Sequence, residues 1–184
     1  MSQYSFEAAY TESRNRLTVA FRVILAIPHL IVSQVWGYLA QILALVQWFI
    51  ALFTGKRNEG IWNLQRQWLD YSSRVSGYTS LLYDPYPAFG PGPGPVPVQT
   101  AIQLEPDANR LTVGLRFLWI IPAALLAIVI GIAAFFVGLV SWFAILFTGT
   151  HPRGMWDFLH RALKYTQQVQ AYGLLMTDVY PKWA

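Results

Sequence analysis

The chain has 184 residues, 55% of them hydrophobic and only 12% charged, with 13 Lys and Arg against nine Asp and Glu for a formal charge of +4. Soluble domains carry about 25% charged residues, so this composition sits far from that class. The absence of cysteine rules out disulfides, zinc–thiolate centres and iron–sulfur clusters.

Residues 1–13 contain Glu7 and Glu12 and no basic segment ahead of an apolar core, so no cleaved secretory signal is expected. Tyr4, Phe6, Ala8 and Tyr10 alternate with mostly polar neighbours, the period of a short strand. From 15 onward the chain is written twice: residues 15–87 return at 109–181 without a gap, and 29 of the 73 pairs are identical. Solenoid units are about 20–50 residues long, so a repeat of this length is a duplicated domain. The second extended stretch, Val98, Thr100, Ile102 and Leu104, is placed to pair with the first.

Residues 17–53 follow, with Arg22 as their only charged member, and residues 111–147 repeat them with only Arg116. Apolar runs of roughly 18 residues or more indicate membrane-embedded helix. Three arrangements are open. One straight helix measures about 55 Å against ~30 Å of hydrocarbon. A hairpin has about 17 residues per arm. In the third, residues 17–27 lie in the interface and a span begins at Pro28. Lys and Arg occur in all three polar segments, which favours hairpins turning near Gly37 and Gly131 with every polar segment cytoplasmic.

Trp48 and Trp142 precede the Phe-Thr-Gly that ends each run, and Trp62 and Trp156 stand at the start of the next helix. Indole favours the membrane interface, so these four are expected as interface anchors. An amphipathic helix follows. Its apolar seam is Ile61, Leu64, Trp68, Tyr71, Val75, Tyr78 and Leu82, and its opposite face carries Gln65, Arg66, Asp70, Ser73 and Arg74. Each unit closes on Asp84, Tyr86, Pro87 or on Asp178, Tyr180, Pro181, and residues 88–97 read as a Gly/Pro linker.

Catalytic constellations are not visible. His29, His151 and His160 have no histidine counterparts in the other copy, and the Gly-Pro linker lacks the lysine and helix of a phosphate loop, so no metal, cofactor or catalytic residue is expected. Among the nine carboxylates only Asp84 and Asp178 survive duplication. Arg22 and Arg116 are the sharper candidates. A guanidinium in an apolar run must snorkel to the interface, contact a lipid phosphate, or pair, here with Asp84 or Asp178 of the same copy.

The strings Arg16-Leu-Thr-Val-Ala-Phe-Arg22, Ile27-Pro28-His29, Trp48-Phe-Ile-Ala-Leu-Phe-Thr-Gly55 and Asp84-Pro-Tyr86-Pro87 resemble a family of small bacterial membrane proteins catalogued only as a domain of unknown function. The second copy matches through Arg116, Ile121-Pro122, Trp142 to Gly149, Pro152-Arg153-Gly154 and Tyr180-Pro181, and departs at Ala123, where the family often has histidine. The resemblance implies a membrane location and transfers no activity.

The expected fold is an all-α membrane protein of two tandem units, 1–87 and 98–184, joined by the 88–97 linker. Each unit is a hydrophobic helical hairpin followed by an amphipathic helix, with a short N-terminal strand. The expected function is a non-enzymatic, membrane-organising or scaffolding element in the bacterial inner membrane. The alternatives are an accessory subunit of a larger membrane complex or transporter, and a lipid-binding unit using the duplicated arginines. Expected partners are membrane lipids, anionic ones included, and a larger complex or a homo-oligomer. Nucleic acid is not expected, because the basic residues are scattered rather than gathered on one face.

Overall fold

The computed structural model describes residues 4–92, 94 and 96–183. Along the chain they form β1 (Ser5–Ala8), α1 (Arg16–Thr54), α2 (Glu59–Thr79), β2 (Val98–Ala101), α3 (Arg110–Gly114), α4 (Arg116–Thr148) and α5 (Arg153–Gly173). Pro93 and Pro95 of the linker lie outside the described residues.

The apolar runs are not hairpins. α1 is a single helix of 39 residues, about 58 Å long at 1.5 Å per residue, and it passes through Gly37 without a turn. α4 passes through Gly131 in the same way. Neither begins at its proline: Pro28 and Pro122 lie inside the two helices. The signal for continuity is a seam of buried and half-buried residues, Val19, Arg22, Ala26, His29, Ser33, Gly37, Ala40, Ala44, Gln47 and Ala51, at unbroken spacings of three and four. Most are small, which brings the next helix close. Gly37 is one such approach: a Cβ there would come within 3.1 Å of the Trp68 ring, whose Nε1–H donates to Ser33 O at 2.9 Å.

Both ends of the long helix are set by local chemistry. The Asn15 side chain accepts from the N–H groups of Leu17 and Thr18, an N-cap that Asn109 repeats at α3. Gly55 and Gly149 take φ of 73° and 76°, the left-handed C-cap conformation that glycine adopts without penalty. The copies differ in one respect. Where α1 starts without interruption, α3 stops at Gly114 and α4 restarts at Arg116. Glycine stands there in place of Ala20 and weakens the helix.

α2 packs back along α1, and α5 along α4. α2 also meets α5, and β1 and β2 lie over α5 and α2 respectively. The strands pair antiparallel, with Ser5 opposite Ala101 and Ala8 opposite Val98, so the extended segments of the two copies join as anticipated. This overlay corrects the reading of α2 as a helix with one wet face. Gln65, Ser73 and Arg74 are buried on its polar side. Ser73 Oγ lies 2.6 Å from Tyr4 Oη, and Arg74 Nη2 donates to Gly90 O at 2.7 Å.

A pseudo-twofold relates the copies. Ser13 bridges Thr150 and Lys56 bridges Asp107, two contacts that interchange under the 94-residue offset. α1 runs antiparallel to α3 and α4: Trp48 near the C-terminus of α1 touches Val113 of α3, and Trp142 near the C-terminus of α4 touches Val19 near the N-terminus of α1.

Candidate functional site

Arg22 and Arg116 are clamps within their own units. Arg22 Nη2 reaches Asp84 Oδ1 at 2.7 Å, and its Nη1 donates to the carbonyls of Tyr78 and Tyr83. The guanidinium carbon stands 4.5 Å from the centre of the Tyr78 ring. Arg116 repeats this with Asp178 at 2.5 Å, the carbonyls of Tyr172 and Thr177, and the Tyr172 ring at 3.8 Å. The aspartates also accept from the backbone N–H of Asn15 at 2.8 Å and Asn109 at 3.1 Å, so each ties the tail of its unit to the start of its long helix. The ion pair is therefore the arrangement found for both arginines, and their Nη groups are engaged inside the protein rather than offered to a lipid phosphate.

The four tryptophans tie the two copies together. Each indole N–H donates to a backbone carbonyl of the opposite copy: Trp48 to Val113, Trp142 to Val19, Trp62 to Met176 and Trp156 to Leu82. Trp62 and Trp156 are buried and cannot sit among headgroups. A buried indole needs an acceptor, and the repeats supply it to one another.

Residues that sequence reasoning passed over complete this inter-repeat contact. Leu81 and Leu175 adopt φ of 62° and 63°, a left-handed conformation costing a leucine roughly 1–2 kcal/mol. Their side chains are buried against the end of the opposite copy's long helix, Leu81 with Ile145 and Leu175 with Ala51, and Val19 and Val113 of their own copies complete the two clusters. Arg57 Nε donates to Leu175 O at 2.7 Å, and Arg57 Nη2 lies 2.7 Å from Asp178. His151 occupies the equivalent place, its Nδ1 at 3.1 Å from Leu81 O. There Arg14 supplies the cation instead, donating to Leu82 O at 2.7 Å, while its own counterpart in the second copy is Ala108. The Arg57 and Ala108 pair is thus exchanged for His151 and Arg14. The identity of Leu81 with Leu175 was visible in the repeat, but a positive φ leaves no mark on composition.

Burial opposes ionisation of Asp178, yet the Asn109 N–H, the Arg57 hydrogen bond and the charges of Arg57 and Arg116 together hold its carboxyl below the usual range. His151 is pushed down to about 4 by burial and then by the Arg14 charge.

His29 is fully buried, with Nδ1 2.8 Å from Tyr71 Oη and its ring stacked on Phe89 at 3.9 Å. Ala123 replaces it in the second copy, where the Tyr165 hydroxyl donates to Ala123 O instead. Among the described residues no three His, Asp or Glu side chains gather as a metal site.

The largest unexplained feature is the outer surface of α1 and α4. Both helices are long and apolar enough, by length and composition, to cross a membrane. Leu17, Val23, Ile31, Val35, Ile42 and Phe53 are exposed on the first, and Phe117, Leu118, Leu125, Val129, Phe135 and Phe147 on the second. Two cavities separate these helices, of about 630 and 540 Å³, and Ser76 and Gln170, which correspond under the repeat, line both.

A family model described as a domain of unknown function, DUF4389, matches residues 16–90 and again residues 110–184. The chain belongs to the DUF4389 family. It carries two tandem copies of that domain, and the match boundaries enclose the Arg–Asp clamp of each copy. No curated protein matches the chain. No solved structure matches it either.

Proposed function

We propose that this tandem DUF4389 protein is a non-enzymatic, membrane-organising element that lies in one leaflet, with α1 and α4 parallel to the bilayer plane and α2, α5 and the β-ribbon on the cytoplasmic side. The observation that carries this reading is the length of the exposed apolar surface. From Leu17 to Phe53 it runs about 54 Å along α1, against ~30 Å of hydrocarbon. An upright span would leave nearly half of it in water. Tilting to fit requires about 55°, outside the range of roughly 0–40° seen for spanning helices.

Charge distribution supports the same orientation. α2 and α5 run beside the long helices, so a crossing α1 would carry Arg66, Asp70, Arg153, Asp157 and Arg161 into the bilayer with it. Each charge at mid-bilayer costs about 2.5–3.5 kcal/mol on insertion scales. Lying flat removes that cost and leaves the net positive charge facing anionic headgroups. No crossing is needed in this orientation, so all polar segments stay on one side without helical hairpins. Two apolar helices pressed into one leaflet act as a wedge, the physical basis of the organising role.

Liposome flotation of the purified protein tests the reading: the wild type floats, and replacing Ile31, Val35 and Ile42 together with glutamate leaves it at the bottom of the gradient. Flotation unchanged by three charges on that face rejects it.

A further inference from the structure

The larger cavity exists because the two copies differ at one seam position. In the first unit the Trp68 ring lies over Gly37. Its counterpart is Ala162, and Gly131, the counterpart of Gly37, has no neighbour within 4 Å of where a Cβ would stand. Gly138 is equally open. The resulting space of about 630 Å³ falls within the roughly 300–1,000 Å³ of small-molecule sites. Val23, Phe135 and Leu139, exposed on the outer apolar face, line it together with Ser76, Thr166 and Gln167.

The polar side of this cavity holds groups whose hydrogen-bonding capacity the protein does not use. Gln167 is 1% exposed, yet its Oε1 has no partner, and Gln170 Oε1 is likewise unpaired. Arg22, which also lines the space, keeps an unpaired buried donor at Nε, while its charge is already matched by Asp84. A buried acceptor without a donor is costly, so two amide oxygens here call for a ligand carrying hydroxyl or N–H groups. Among the described residues no carboxylate lines the cavity to attract a cation, and the guanidinium of Arg22 is neutralised, so a full negative charge is not called for.

We infer that this cavity binds one neutral acylglycerol from the surrounding leaflet, its glycerol hydroxyls donating to Gln167 and Gln170, its ester carbonyl accepting from Arg22 Nε, and its acyl chain leaving past Phe135 and Leu139 toward the lipid. The inference rests on the in-plane orientation proposed above, which places the cavity mouth against acyl chains.

The probe is monoolein, titrated onto the full-length protein in a non-ionic detergent, with bound molecules counted by native mass spectrometry beside lysophosphatidylglycerol and lysophosphatidylcholine. The wild type retains one monoolein per chain in preference to either phospholipid. Ala162→Trp, which installs the side chain that the first copy already accommodates, and Gln167→Met, which keeps the volume but deletes the acceptor, each weaken retention at least tenfold. Equal monoolein retention by wild type and both variants overturns the assignment, as does no retention by the wild type or tighter binding of the anionic probe. Flotation of the same preparations keeps the two claims separate: a wild type that floats but binds no glyceride refutes the cavity alone, whereas one that fails to float refutes the membrane orientation.

Discussion

Replacing Asp178 with asparagine should cost far more stability than the same change at Asp84, although the two residues are equivalent in the repeat. Asp178 answers two guanidinium groups, Arg57 at 2.7 Å and Arg116 at 2.5 Å, and its side chain is 6% exposed. Among the described residues Asp84 answers one within salt-bridge distance, Arg22 at 2.7 Å, and is 24% exposed. Removing one partner of a buried pair costs about 3–5 kcal/mol because the remaining charge stays buried. Asp178→Asn strands two such charges and should fall at the upper end of that range. At Asp84 water reaches the site, and roughly half that loss is expected. The gap of about 2 kcal/mol corresponds to roughly a 30-fold difference in unfolding equilibrium constant. Urea unfolding in mild detergent, followed by tryptophan fluorescence, reads it directly. Adding Arg57→Leu to Asp178→Asn should restore about 1–2 kcal/mol by removing one unpaired cation. Equal losses at Asp84 and Asp178, or further loss on adding Arg57→Leu, would refute the reasoning.

Other consequences follow from the exchange of residues between copies. His151→Arg alone should destabilise, because it sets a second guanidinium beside Arg14, whereas combining it with Arg14→Ala recreates the Arg57 and Ala108 arrangement and should recover at least half of the summed losses in the same unfolding assay. His151 stays neutral in the fold, with its pKa depressed to about 4 against ~6.5 in the unfolded chain. Its contribution is complete above pH 6.5 and is lost as pH falls from there to 4. His160, lowered by burial as well, acts in the same direction. Thermal midpoints at pH 7.5 and 4.5 should therefore converge in His151→Gln, and an unchanged gap would contradict the assignment. Leu81→Gly relieves the positive φ, worth about 1–2 kcal/mol, but empties a buried inter-repeat position worth about 2–5 kcal/mol, so a net loss is expected on unfolding and a net gain would contradict its role.

Much of the architecture could be read from the repeat alone. The alternating stretches at Tyr4 and Val98 were placed to pair and do pair. The duplicated Arg and Asp were expected to meet as one of three arrangements, and they do. Weighing length against bilayer thickness favours hairpins that turn at Gly37 and Gly131, whereas both helices run straight through these glycines. The small-residue seam from Val19 to Ala51 keeps helical phase across Gly37 and could have decided for one helix. The burial of Trp62 and Trp156 is not legible for a related reason: indole preference for the interface is a statistical tendency, whereas their acceptors here are carbonyls of the other copy. Contacts such as Arg57 with Asp178 or Trp62 with Met176 join residues more than a hundred positions apart, and only the three-dimensional twofold brings them together.

The most direct test of the in-plane orientation uses the absence of native cysteine. Single cysteines at Leu17 and Phe53, the two ends of the exposed face of α1, are introduced into protein reconstituted in liposomes and challenged with a membrane-impermeant thiol reagent outside, then with the same reagent after lysis. The account predicts that both positions respond from the same side in every population of molecules. Labelling of one end from outside and of the other only after lysis would mean that α1 crosses the bilayer, and would contradict it.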